Sequence, residues 1–351
     1  MNLLVFCIIC VSLQVTYQSL RGHWTLLPNV LVVEVDGSLS QQSLSCLQRP
    51  EDPLWRHNQS QDIFWKKNGV KKNETGNSYL VQLVESFGGG NYTCHSKDGS
   101  LLNHTEVLIR HPETRILVKS DQDDYLKCST QNYDGAFDCA WTWDSIRVGR
   151  VAFIKVARVA DPRNTECSVD SSNRRWICSS AHSNFSCSVH EDGRGISCLD
   201  QQHCPYAEEN QQISVTVFVR TDHYLLESYS KLFFLSAIVK PGKVTIGRVN
   251  KTVVEWSYPS SWSTPHSYFP LTFEVAQVRA RCKNCENPCT ALKPSKPLGS
   301  TDICRLKVKR HTKAVCIRAK DALCNSQWSD WSHVRLRKNR KNKKLQKKKL
   351  S

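Results

Sequence analysis

The residues able to do chemistry in this chain are chiefly cysteines: 17 among 351 residues. Cys282, Cys285 and Cys289 form a Cys-x2-Cys-x3-Cys run, a spacing that can offer thiolates to a tetrahedral zinc ion. In an oxidising compartment the same residues form loop disulfides instead, and the chain as a whole favours that reading, with no metal. With Cys304, Cys316 and Cys324 they leave many pairings open. Cys128 and Cys139 flank Asn132-Tyr133-Asp134-Gly135, a turn composition, and so predict a disulfide across a hairpin. Trp328 and Trp331 stand among Ser329, Asp330 and Ser332. In a regular strand, odd spacing would put the two indoles on opposite faces. A bulged or polyproline-like backbone would return both to one face, where they can take cations between their rings. Arg318 and Lys320 are the nearest candidates, then Arg335 and Arg337. Hydrolytic chemistry has no support: there is no Gly-x-Ser-x-Gly, no His-Glu-x-x-His and no phosphate-cradling glycine loop, and the 12 histidines are scattered. The expectation is a binding protein, not an enzyme, and one that needs no cofactor.

The compartment follows from the ends and the cysteines. Leu3–Leu13 is a short apolar run of the kind found in secretory signals, although it lacks an early Lys or Arg. Cleavage is expected between Tyr17 and Trp24, making residues 1–22 the signal. No later segment reaches bilayer-spanning length, so a secreted, extracellular product without membrane insertion is expected. Cys7 and Cys10 would leave with the signal. The odd number that remains leaves at least one thiol without an internal partner. Six sequons, at Asn58, Asn73, Asn91, Asn103, Asn184 and Asn250, predict surface glycans. The net charge of +16 is concentrated at the C-terminus: His333 to Ser351 holds ten Lys or Arg and no acid, and the rest carries only +6. In a secreted protein the polybasic tail, with Lys338, Arg340, Lys341, Lys343, Lys344, Lys347, Lys348 and Lys349, points to heparan sulfate, not to nucleic acid.

The elements that must position these groups are strands. Val30–Val35, Leu44 with Cys46, Ile63-Phe64-Trp65, Tyr79–Leu83 and Gly90-Asn91-Tyr92-Thr93-Cys94 follow the Cys, Trp, Cys order of an immunoglobulin sandwich. Cys46 and Cys94 would bridge its sheets over Trp65, and Tyr92 would form the tyrosine corner. Gly88-Gly89-Gly90 replaces the usual Asp there, predicting a shorter or looser loop. His111-Pro112 marks a linker. The next unit contains the Cys128–Cys139 hairpin, Cys167, Cys178, Cys187, Cys198 and Cys204, the alternating strand Ile213–Val219, and Leu232–Val239, read as a buried strand. Lys240-Pro241-Gly242 opens a third unit with strands at Val253–Trp256, Leu271–Val275 and Val315–Lys320. The fold class expected is all-β: three tandem β-sandwiches, an immunoglobulin-like domain at 23–110 and fibronectin type III domains at 111–239 and 240–336, then a basic tail at 337–351.

Cys-x10-Cys-x-Trp at Cys128, Cys139 and Trp141, followed by Trp-Ser-Asp-Trp-Ser at 328–332, resembles the type I cytokine-receptor homology module. With the preceding immunoglobulin domain and no anchor, the chain is similar to the soluble interleukin-12 beta-subunit family over nearly its whole length. The closest stretches are Asn91-Tyr92-Thr93-Cys94-His95, Cys204-Pro205 with Ala207-Glu208-Glu209, Trp262-Ser263-Thr264-Pro265-His266-Ser267-Tyr268-Phe269 and Arg318-Ala319-Lys320-Asp321. The resemblance implies a four-helix-bundle alpha subunit as partner, and a type I cytokine receptor on target cells. It implies an intersubunit disulfide at Cys204 and a pocket for an arginine anchor. Asp321 would be the pocket's carboxylate, with Tyr133, Tyr268 and Phe269 as its aromatics and Glu208 nearby. The preferred internal pairs are Cys46–Cys94, Cys128–Cys139, Cys167–Cys198 and Cys178–Cys187. Three features depart from the family pattern: Ala322-Leu323-Cys324 replaces tyrosines after Asp321, a cysteine after the Trp-Ser motif is missing, and the lysine-rich tail is added. The alternatives to a cytokine subunit are a soluble decoy receptor and a homodimeric antagonist.

Overall fold

The computed structural model describes residues 24–25, 27–35, 40–47, 63–83, 87–112, 115–121, 123–159, 165–172, 174–181, 183–203, 211–250, 252–263, 269–279, 287–291, 299–324 and 326–336. The all-β, tandem-sandwich architecture expected from the sequence is what forms. The chain folds as two compact units. One comprises Met1–Tyr125, Thr142–Ile154 and Val217–Tyr229; the other comprises Leu126–Trp141, Lys155–Thr216 and Ser230–Ser351.

In the first unit a six-stranded sheet runs in the order Trp24–Thr25, Val30–Glu34, Leu101–Arg110, Gly90–His95, Phe64–Lys67, Val70–Thr75. Ser40–Ser45 and Ser78–Leu83 pair as a second sheet facing it. Strand alternation decides what is buried: Tyr79, Val81 and Leu83 point inward while Ser78, Leu80 and Gln82 face water. Cys46–Cys94 ties the two sheets beside Trp65, whose indole N–H donates to Gly76 O at 2.9 Å. Tyr92 forms the expected corner, its hydroxyl donating to Gly88 O at 2.7 Å.

The glycine run before Tyr92 is not loose. Gly88, Gly89 and Gly90 are all buried, and Gly89 forms the seat for Tyr224. Tyr224 lies in the Thr221–Leu225 turn with a φ of 61°. Its carbonyl accepts from Ile109 N–H at 2.8 Å, and its hydroxyl donates to Asn68 Oδ1 at 2.8 Å. Arg220, on the neighbouring strand, pairs with Glu106. Any side chain at position 89 would overlap the Tyr224 Cβ. Gly89→Ala is therefore expected to cost about 1–3 kcal/mol, as overpacking does. Scanning calorimetry should register this as a melting shift of several degrees for a domain of this size; an unchanged transition would refute the seat.

In the second unit one sheet runs Lys127–Ser129, Ala136–Ala140, Gly195–Asp200, Asn184–Val189, Arg175–Ser179, Glu166–Val169. It corrects two of the expected disulfides. The bonds are Cys167–Cys178 and Cys187–Cys198, not Cys167–Cys198 and Cys178–Cys187, while Cys128–Cys139 forms as expected. The reason is register: Cys128↔Cys139, Cys167↔Cys178 and Cys187↔Cys198 are each directly opposite on adjacent antiparallel strands, with Cα atoms 4.0–4.1 Å apart. Opposed positions in a ladder are where side chains come closest. The third element corrected is Leu232–Val239. Its first residues end the strand Leu226–Phe233, and Leu235–Ile238 is a single helical turn. Leu232 is exposed, whereas Leu235, Ile238 and Val239 are buried.

The last part of this unit stacks Thr245–Val249, Val253–Ser257 and Arg305–Lys307 against Gly299–Thr301, Leu271–Val278, Ala314–Asp321 and Ser332–Arg335. Trp256, Trp262, Leu271, Phe273, Val315, Ile317 and Ala319 fill the space between them. Cys289 bonds to Cys316. That bond removes one thiolate from any zinc reading of the Cys-x2-Cys-x3-Cys run. Cys282 and Cys285 lie outside the described residues. Cys304 and Cys324 are unpaired, half-buried thiols.

Candidate functional site

The second unit brings together three of the five residues expected to bind a partner. The Asn132–Asp134 turn packs on the one-turn 3-10 helix Ser260–Ser263 and on the end of the strand Ala314–Asp321. Tyr133 OH donates to Asp321 Oδ2 at 2.8 Å. The Tyr133 ring sits 4.9 Å from Phe269 and 5.8 Å, edge-on, from Trp262. Burial, then the hydrogen bond to Asp321, pushes the Tyr133 phenol far above its ordinary range, so it stays a proton donor. Asp321 is 1% exposed. Its other oxygen accepts from Leu323 N–H at 2.7 Å and Cys324 N–H at 3.2 Å. A carboxylate can accept about four hydrogen bonds, so Oδ2 retains room for one more. Glu208, Tyr268 and Cys204, the cysteine expected to link the subunits, lie outside the described residues.

Sequence reasoning quoted Asn132 and Trp262 but gave them no role. Asn132 Nδ2 donates to Ser261 O at 2.8 Å, and its Oδ1 accepts from Asp134 N–H at 3.0 Å. Trp262 Nε1 donates to Phe269 O at 2.9 Å. The two side chains hold the Tyr133 and Phe269 loops in place. The Asn132–Ser261 contact joins residues 129 positions apart, so no local spacing could have announced it.

The Trp-Ser segment adopts the one-face arrangement. Arg318 lies between the indoles, its guanidinium carbon 4.9 Å from the Trp328 centroid and 4.6 Å from that of Trp331. Lys320 adds a contact to Trp328 at 5.1 Å. Arg318 also pairs with Glu274 across the sheet. Residues 326–331 leave strand geometry, which is how odd spacing is reconciled with one face. Ser329 anchors the bend: its N–H donates to Ala319 O at 2.7 Å, and its hydroxyl accepts from Ala319 N–H at 2.9 Å. Ser332 Oγ donates to Val244 O at 2.6 Å. Lys240 binds Asp330 at 2.8 Å and holds that carboxyl below its usual range. The motif is a brace, with its polar groups already engaged.

The sequons differ in what their amide nitrogens do. Asn73, Asn91 and Asn250 are exposed. Asn103 Nδ2 donates to Cys46 O at 2.8 Å, and Asn184 Nδ2 to Gln201 Oε1 at 2.8 Å. Glycosylation at either would leave Nδ2 a single N–H with which to keep that bond. Asn58 and the tail cations lie outside the described residues. The nearest approach to a hydrolase constellation is His190 Nε2, 2.9 Å from Ser197 Oγ, which itself donates to Asp138. In a catalytic triad the histidine stands between serine and carboxylate. Here the serine stands between them, and Asp138 is exposed, so the group decorates a sheet surface.

Comparison with known proteins places the chain among relatives. The family model for the cytokine interleukin-12p40 C-terminus matches residues 123–221. The interleukin-12 subunit beta of Sigmodon hispidus is 30% identical over 333 residues, covering 90% of this chain and 93% of that protein. The Felis catus protein of the same name is 30% identical over 350 residues, 92% of this chain and 96% of the relative. For Homo sapiens the figures are 29% over 332 residues, 89% and 92%. No helix among the described residues is long and apolar enough to cross a membrane.

Proposed function

Since the chain belongs to the interleukin-12 subunit beta family, a family of cytokine subunits and not of enzymes, we propose that it is the secreted beta subunit of a heterodimeric cytokine of interleukin-12 or interleukin-23 type. In this reading residues 1–22 are a signal, 23–110, 111–239 and 240–336 are successive sandwiches, and 337–351 is a basic tail that binds heparan sulfate. The partner is a four-helix-bundle alpha subunit, and the pair acts on a type I cytokine receptor.

The observation that carries the reading is the buried Asp321 carboxylate beside Tyr133 and Phe269. A planar guanidinium suits such a place, because it can bond a carboxylate and stack on aromatic rings at once. In the free chain Tyr133 occupies one side of Oδ2. An arginine anchor would share that oxygen with Tyr133 or replace it, after the groups covering Asp321 move aside. Glu208 and Tyr268 complete the proposed contact surface, and Cys204 makes the covalent link.

Co-secretion with candidate four-helix chains, followed by non-reducing electrophoresis, tests this. The expected result is a heavier band that reducing agent removes and that Cys204→Ser abolishes, while a non-covalent complex still co-purifies. If no alpha chain gives such a band, or if Cys204→Ser leaves it intact, the covalent-heterodimer reading fails. A reducible band formed by this chain alone would favour the homodimeric antagonist.

A further inference from the structure

The sequon Asn184-Phe185-Ser186 lies in a strand, not a loop. Asn184–Val189 is an inner strand of the six-stranded sheet of the second unit, with Arg175–Ser179 on one side and Gly195–Asp200 on the other. Phe185 and Cys187 are buried, so alternation turns Asn184, Ser186 and Ser188 to the outer face. A glycan attached at Asn184 therefore starts from the middle of a sheet and has to cross it.

One row of that face is apolar. Ile177, Ser186 and Leu199 are directly opposed on three adjacent strands. Ile177 is 46% exposed and Leu199 43% exposed. Among the described residues they are the only large aliphatic side chains at outward strand positions of this sheet. A single exposed aliphatic residue needs no explanation; a facing pair one row from a sequon does. Neighbouring strands stand about 4.8 Å apart, so the two side chains wall a trough about 10 Å wide, floored by the small Ser186. One pyranose ring fills that width. The next row, about 7 Å further along, is polar: Arg175 and Ser197 lie on either side of Ser188. The trough is also preformed. Cys187–Cys198 staples two of its strands from the inner face. Ser179 Oγ donates to Asn184 Oδ1 at 3.2 Å, and Asn184 Nδ2 donates to Gln201 Oε1 at 2.8 Å, which fixes the amide.

We propose that Asn184 carries an N-linked glycan whose first N-acetylglucosamine is seated between Ile177 and Leu199, with the second reaching toward Arg175 and Ser197. Attachment forms an Nδ2–C1 bond as the C1–O bond of a glycosyl pyrophosphate donor breaks. The pyrophosphate leaves with the electron pair, and Nδ2 gives up one proton while keeping the other for Gln201. A pyranose has a face rich in C–H groups and a rim of hydroxyls; the face suits the aliphatic walls, and the rim suits Ser186 and Arg175. The seated sugar takes from water the one apolar row that this sheet exposes. Because the walls are already held in place, little further ordering of the protein opposes the contact. The proposal rests on the secretory reading of residues 1–22.

The test uses the full chain secreted from glycosylating cells. Mass spectrometry of the Asn184 peptide, before and after peptide-N-glycosidase, should show the site occupied. Timed release by the same enzyme from the native protein then reads the seat. In Ile177→Ser/Leu199→Ser, release from Asn184 should quicken on the order of tenfold, as loss of roughly 50 Å² of apolar contact supports. Release from the other sequons should not change, and Ile177→Val/Leu199→Ile should keep the parent rate. Both walls are exposed, so these variants should fold. A secreted chain without sugar at Asn184 refutes the proposal and leaves secretion standing. Equal release from parent and serine variant means that the glycan sways free, which also refutes it. A dimer of the parent chain in sedimentation that the serine variant loses would give the row to a second copy instead.

Discussion

Asp321→Asn is expected to weaken alpha-subunit binding by about 2–5 kcal/mol, on the order of thirtyfold or more, through loss of a desolvated charge pair. The substitution keeps size and shape. The asparagine oxygen can still accept from Leu323 and Cys324 N–H, as the carboxylate does now. The partner that loses is Tyr133, whose hydroxyl donates to Oδ2 and would face an amide N–H₂ instead. The hydroxyl would then accept instead of donate, and trading a charge-assisted bond for a neutral one should cost about 1 kcal/mol of stability, readable as a modest fall in melting temperature. The two effects separate through Tyr133→Phe, which removes the internal bond but leaves the carboxylate charged. If Asp321 serves a partner's arginine, Tyr133→Phe should bind nearly as well as the parent while Asp321→Asn does not. Wild-type affinity in Asp321→Asn would end the arginine-pocket proposal and leave Asp321 a purely structural residue of the Tyr133 contact.

Arg318→Ala should destabilise the second unit by about 3 kcal/mol. Arg318 is held between two indoles, each contact worth roughly 0.5–2 kcal/mol, and it compensates Glu274, whose side chain is only 15% exposed. Removing one member of a largely buried pair leaves the other uncompensated, at a cost of about 3–5 kcal/mol in fully buried cases. These contributions overlap and do not add, and the 28% exposure of Arg318 discounts the ionic part. Arg318→Lys keeps the charge but not the plane that fits between the rings, so it should recover less than half. Equilibrium denaturation of the three proteins decides: an Arg318→Ala midpoint equal to the parent's would mean that the Trp-Ser segment is no brace.

Much of the site could be read from residue type and spacing, because those signals are local. The strands of the first sandwich and the Cys46, Trp65, Cys94 order that staples it were legible in the sequence. The interleaved indoles pointed to Arg318 and Lys320 as their cations. The Cys128–Cys139 hairpin followed from the turn composition between them. The same spacing of eleven recurs at Cys167–Cys178 and Cys187–Cys198, and that repeat was the available clue to the pairing that the sequence reading missed. A hairpin stapled across its ladder needs both cysteines at opposed positions, and equal spacing is its trace.

The residues, taken alone, determined composition-level and periodic properties: the all-β character, the cysteine content that favours disulfides, the absence of catalytic motifs, the resemblance to soluble receptor-like subunits and the placement of positive charge. Each depends on side-chain chemistry or on alternation along a few neighbouring residues, and both are written in the chain. Tertiary structure alone decided which cysteines meet in register and that Gly89 seats Tyr224. It also decided that Leu235–Ile238 turns as a helix and that Tyr133 caps Asp321. The Gly89 seat and the Tyr133 cap depend on packing between segments far apart in sequence. Their energies come from excluded volume and from buried polar groups finding partners, and neither exists until the segments are brought together.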